Sequence, residues 1–101
     1  MIDEAKQRRE FMRWVILLGL YNGRPIGLWE EVMLSIVRGI YPDCTRLEMR
    51  REVDYLHDRK LVELKKHPDN RWFGELNNHG VDYVEYTIDG YAGIARPQKF
   101  D

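Results

Sequence analysis

Cysteine occurs once, at Cys44, so the chain cannot hold an internal disulfide, and its single thiol suits a reducing compartment. Long hydrophobic runs are also missing. The most apolar stretch, Trp14-Val15-Ile16-Leu17-Leu18-Gly19-Leu20, is bounded by Arg13 and Asn22 and is far shorter than the about 20 residues that span a bilayer. Charged residues fill positions 3–10, where a cleavable signal would need an apolar stretch. A cytoplasmic protein outside the membrane is expected. An excess of one charge is absent too: 16 Lys and Arg oppose 17 Asp and Glu, for a net charge of −1. Domains that bind DNA through phosphates commonly carry a basic surplus, so any basic footprint here has to be local.

The motifs of catalysis are also lacking. His57, His67, His79 and Cys44 show no C-x-x-C or H-x-x-x-H spacing, and there is no glycine-rich phosphate loop or nucleophile motif. No metal, cofactor or enzymatic activity is expected. Cys44, next to a helix start, is either a thiol of lowered pKa or an inert packed residue.

What is present suits one folded domain. In 101 residues, 44% are hydrophobic and 12% aromatic, with three Trp, six Tyr and three Phe to fill a small core. Residues 3–21 predict a first helix, with Asp3 and Glu4 matched to its dipole. From Phe11 to Tyr21 its apolar residues surround the wheel, which predicts a central core helix or one also buried against a second copy. Tyr21-Asn22-Gly23-Arg24-Pro25 stops it. A second helix is expected over 28–39, where Leu28, Val32 and Ile36, with Trp29, Met33 and Val37 beside them, make a broad buried stripe. Thr45-Arg46-Leu47-Glu48 matches a capping box, in which hydroxyl and carboxylate each satisfy a free backbone donor. The third helix then runs to about Arg59, with Met49, Val53 and Leu56 inward and Leu47, Arg50, Arg51, Asp54 and Asp58 outward. Leu61-Val62-Glu63-Leu64-Lys65 alternates as a strand, residues 67–71 make a turn, and residues 72–76 return. Asn77 caps a fourth helix over about 78–86, and residues 87–101 form an extended tail.

Helix, helix, capped helix, hairpin, helix is the order of a winged helix-turn-helix. The expected fold is α+β and mostly helical: a three-helix core with a β-hairpin wing and a C-terminal helix, over residues 1–86. Residues 50–64, Arg-Arg-Glu-Val-Asp-Tyr-Leu-His-Asp-Arg-Lys-Leu-Val-Glu-Leu, resemble the RRELDYLEERGLVEL stretch of winged-helix regulators related to the ArsR and MarR families. The continuation is similar to small winged-helix proteins of Mu-like phages and prophages. The matching pieces are Leu76, Asn77 and Gly80, then Val81-Asp82-Tyr83-Val84-Glu85, then Gly93-Ile94-Ala95-Arg96-Pro97. Asn77 stands for the usual Thr and keeps its capping role.

The resemblance implies a DNA-binding fold, and hence a phage-derived transcriptional regulator with double-stranded DNA as its partner. Arg46, Arg50 and Arg51, at the start of the third helix, are the candidates for base or phosphate contact. They could instead pair with Glu48, Asp54 and Asp58 on a solvated face. Lys65, Lys66, His67 and Arg71 cluster around the wing and could grip phosphates, or simply keep a hairpin edge polar. Over residues 45–75, eight basic residues meet seven acidic ones, a weak field. The alternative is a protein-interaction adaptor in phage assembly or DNA processing. A homodimer is expected, built on the apolar first helix and the small, apolar tail at 90–97, unless that tail folds back on its own chain.

Overall fold

The computed structural model describes residues 2–99; positions 100 and 101 of the expected tail lie outside the described residues. Among them the chain forms four helices and a three-stranded antiparallel sheet. Helix α1 spans Glu4–Asn22, capped by Asp3, whose side chain accepts from the Lys6 amide. Strand β1 is Leu28–Trp29, α2 is Glu30–Arg38 and α3 is Arg46–Asp58. Strands β2, Val62–Lys66, and β3, Trp72–Leu76, form the hairpin, and α4 is Asn78–Val84.

Two expectations about the second helix are overturned. Leu28 and Trp29 do not begin it; they pair as β1 with Gly74 and Phe73, giving the sheet the order β1-β3-β2. Trp29 is extended, at φ −70° and ψ 154°, and has no capping side chain to offer. Gly27 sits at φ +96°, and a Cβ there would lie 2.7 Å from the Gly74 carbonyl oxygen, so the close strand contact selects glycine. The helix that follows also buries only part of the expected stripe: Met33 and Val37 are buried, joined by Glu30 and Leu34, while Val32 and Ile36 face outward. The i, i+4 pattern had two candidate faces one residue apart, and packing on α1 chose the one that includes a carboxylate.

Helix α3 forms as the pattern requires. The Thr45 hydroxyl accepts from the Glu48 amide at 3.1 Å, and Met49, Val53 and Leu56 are fully buried. Only half of the capping box is made, because Arg8 of α1 takes the Glu48 carboxylate with two hydrogen bonds of 2.7 and 2.9 Å. The helix ends with Lys60 at φ 65° and a Leu61 amide bonded back to the Leu56 carbonyl, a left-handed stop. Asn77 caps α4 by accepting from the Gly80 amide at 2.8 Å. In β3, Trp72, Gly74 and Leu76 turn to the core, and Tyr83 of α4 is fully buried.

The tail folds back on its own chain. Ile94 is buried, and the Ala95 amide donates to the Glu10 carbonyl of α1 at 3.1 Å. Arg96 donates to the Tyr83 and Ile88 carbonyls at 2.9 and 3.0 Å, with its guanidinium over the Tyr83 and Tyr86 rings. Arg13 joins three elements: it pairs with the buried Glu52 of α3 at 2.7 Å, donates to the Gly93 carbonyl at 2.8 Å and covers the Tyr55 ring. Of the two arrangements open to the tail at 90–97, it takes the one in which it packs on its own chain.

Candidate nucleic-acid interface

The seven residues singled out in the sequence do not form one patch. Arg50 is not outward. Its Nε and one terminal nitrogen each donate to a Glu30 carboxylate oxygen at 2.7 Å, and it also bonds the Asn70 carbonyl in the hairpin turn. Glu30 is 1% exposed and the Arg50 side chain 15%. The wheel places Arg50 about 70° from the solvent-facing centre of α3, on the flank that meets α2 and the hairpin, and the sequence holds no sign of that neighbour. The fork onto Glu30 holds the Arg50 guanidinium charge more firmly than in water.

Trp72 fastens the same seam, because its ring lies 4.6 Å from the Arg50 guanidinium and 4.4 Å from the Lys66 ammonium. Lys66 also reaches Asp54 of α3 at 3.2 Å. Helix and hairpin are thus joined by two cations that share one indole.

The wing residues divide between the two faces of the hairpin, as strand alternation requires. Lys66, opposite Trp72, turns toward α3, whereas Lys65 is opposite Phe73, which in turn is opposite Trp29 on the other face. There the Trp29 ring lies 5.0 Å from both His67 and Phe73 and 4.1 Å below the Arg71 guanidinium. Arg71 pairs with Glu31 at 3.3 Å. The Glu31 carboxyl is held below its usual range by backbone hydrogen bonding and by Arg71, against a desolvation effect of opposite sign.

Arg46, Arg51 and Lys65 are exposed and carry no ion pair among the described residues. Leu47, 61% exposed, stands between the two arginines on the solvent face of α3. One further cation was missed in the sequence. Arg38, exposed at the end of α2, borders an open hollow of about 520 Å³ with Arg46, Ser35 and Glu31. Its Nε is tied to the Cys44 carbonyl at 2.9 Å. An arginine in the last turn of a helix is common, so no pattern in the sequence distinguishes it.

Cys44 resolves to the packed alternative. It is 1% exposed, and burial pushes its thiol pKa up, with Glu48 adding to the effect. Among the described residues, no group of three His, Cys, Asp or Glu side chains is placed to hold a metal ion. No helix there is long and apolar enough to cross a membrane. The sequence matches no protein-family model, and no curated protein matches it significantly. The surface is therefore read from its own geometry, which offers cations for anionic groups beside an exposed leucine.

Proposed function

We propose that this chain is a winged helix-turn-helix protein that binds duplex DNA, with α3 as the reading helix and the β2–β3 hairpin as its wing. The observation that carries this reading is the uncovered outer face of α3, with Arg46 and Arg51 unpaired on it and the hairpin fastened to its flank by Arg50 and Lys66. A helix about 10–12 Å across fits the major groove. Arg46 and Arg51 then meet base edges or phosphates. Lys65 and His67, on the outer face of the wing, meet the flanking backbone. Arg38 extends the phosphate track beyond the start of α3. The three sequence candidates Arg50, Lys66 and Arg71 serve instead to hold the wing in place. A prophage-type regulator acting in the cytoplasm follows from this reading together with the motif resemblance.

Binding to a random duplex across a salt series tests the proposal. Four unpaired cations on DNA, Arg38, Arg46, Arg51 and Lys65, give a slope of log affinity against log salt of about −3.6. Arg46→Ala, Arg51→Ala and Lys65→Ala combined remove most of that slope and lower affinity at least ten-fold, since each contact accounts for about one unit. All three side chains are exposed, so the fold is retained. Absence of salt-dependent binding by the native chain, or a triple variant that binds as well as the native chain, overturns it.

A protein-interaction adaptor is the second reading, favoured by Leu47 at 61% exposure in company with Asp54 and Asp58. An apolar residue rimmed by both charges suits a protein surface better than a polyanion. It predicts that Leu47→Asp abolishes partner binding while the arginine substitutions leave it intact.

A further inference from the structure

Helix α3 turns Met49, Glu52, Val53 and Leu56 inward. The opposite side of its wheel is centred on Leu47, with Arg51 and Asp54 at the next turns, because these three follow at spacings of four and three. Leu47 is 61% exposed. Arg46 next to it and Arg51 one turn on are exposed and carry no ion pair among the described residues. The acids at this end are drawn away. Arg8 of α1 takes the Glu48 carboxylate at 2.7 Å and that of Asp43 at 3.0 Å, and Lys66 of the wing holds Asp54 at 3.2 Å. The start of α3 therefore offers two free guanidinium groups with one apolar side chain between them.

Phosphate accounts for the arginines and leaves the leucine without a partner. The floor of the major groove supplies one apolar group, the 5-methyl of a pyrimidine, among the hydrogen-bonding atoms of the base edges. A helix laid in the groove by its outer face brings its central side chain to that floor. On α3 the central side chain is Leu47. Arg51 lies one turn on, about 6 Å along the helix axis, and base pairs repeat every 3.4 Å or about that. Its guanidinium therefore reaches a pair about one or two steps away, where its fork fits O6 and N7 of guanine.

We propose, on the basis of duplex binding through α3, that Leu47 determines specificity by packing on the 5-methyl group of a pyrimidine in the major groove, with Arg51 on a nearby guanine. Thymine carries that methyl, and so does 5-methylcytosine; the apolar contact is the same for both. An unmodified cytosine has no methyl and sets its N4 donor beside the leucine, where it loses a water partner. Leu47 adds nothing to the binding of phosphate. It selects which duplex is preferred and leaves the salt dependence to the cations.

Selection from a random duplex pool by the full chain, then fluorescence anisotropy on the enriched duplex, tests it. Exchanging thymine for uracil one position at a time removes only the methyl. At the contacted base this lowers affinity about three- to five-fold and leaves the salt slope unchanged. Leu47→Ala lowers affinity for the thymine duplex by a similar factor and binds thymine and uracil duplexes alike. The side chain is exposed, so this variant melts as the native chain does. A second pool with 5-methylcytosine in place of cytosine separates the two sources. Thymine enriched at that position in both pools assigns thymine, and methylated cytosine enriched in the second assigns the modified base. Salt-dependent binding with no position sensitive to loss of a 5-methyl in either pool overturns the Leu47 contact and leaves duplex binding standing. So does a methyl dependence that persists in Leu47→Ala. Absence of salt-dependent binding to any duplex removes both.

Discussion

Arg50 and Glu30 lie twenty positions apart and form a two-pronged ion pair, both bonds at 2.7 Å, with the carboxylate almost wholly removed from water. The pair connects the first turn of α2 to the middle of α3, and the third Arg50 bond, to the Asn70 carbonyl, adds the hairpin turn. Removing one partner leaves a buried charge without compensation. Arg50→Ala is therefore expected to cost about 3–5 kcal/mol, read as a lower urea midpoint. Replacing both, Glu30→Leu with Arg50→Met, costs much less. Loss of DNA binding in Arg50→Ala alone therefore reports a damaged fold and not a lost contact.

Asp54 presents its carboxylate beside the outer face of α3 and occupies Lys66 at 3.2 Å. Both side chains are about half exposed, and such a pair adds at most about 1 kcal/mol to stability. Asp54→Asn frees the ammonium and removes a charge that repels phosphate. If α3 docks on DNA, affinity rises several-fold at low salt and the salt slope steepens by about one unit. Fluorescence anisotropy on a labelled duplex measures both, and an unchanged affinity counts against docking through this face.

Lys60 ends α3 at φ 65°, a conformation costing a side-chain-bearing residue about 1 kcal/mol relative to glycine. It stands where the resembling RRELDYLEERGLVEL motif carries Gly. Its carbonyl accepts from the Asn77 side chain at 2.8 Å, and that bond needs no lysine side chain. Lys60→Gly should raise stability by about 1 kcal/mol, seen as a higher melting temperature.

Gly80 brings the first turn of α4 against the entry to β2. A Cβ there would lie 2.1 Å from the Leu61 carbonyl oxygen and 2.6 Å from the Leu76 Cδ1. The carbonyl belongs to backbone that also accepts from the Asn77 amide, so it cannot yield cheaply. Gly80→Ala is expected to cost about 3 kcal/mol, with thermal unfolding as the measurement. Asn78→Ala, two residues earlier and exposed, should cost far less.

Asp43 and Glu31 both have carboxyl pKa values below the usual range, Asp43 chiefly through its hydrogen bond to Arg8. A depressed folded-state value means the group stabilises the fold above its ordinary pKa of about 4. That contribution is lost as pH falls through the depressed value. Melting temperature should thus decline below about pH 4, and Asp43→Asn with Glu31→Gln should flatten this acid limb.

Local chemistry was legible wherever a single element carried it. Thr45 and Asn77 announce their helices because a capping hydroxyl or amide acts within three residues. Met49, Val53 and Leu56 reveal the inner face of α3 through periodicity alone. The short β1 was not legible, since two residues carry no period and pair only because β3 had an open edge beside Gly27. The candidate site fared worse for a related reason. Arg50, Lys66 and Arg71 read as cations available to a ligand, yet their carboxylate partners come from elements distant in sequence. Arg51, by contrast, stays exposed as periodicity requires.

The sequence by itself determined the order of the helices and the hairpin, the inner face of α3, the caps of α3 and α4 and the near balance of charge, all consequences of contacts within a few residues or of composition. Tertiary structure alone decided that Glu30 is buried, that Arg50 spends its charge on it and that α2 turns Val32 and Ile36 outward. It also decided that the tail returns to α1. Each of these depends on which surfaces meet across the chain, and a periodic pattern encodes that a face is to be covered but not what covers it.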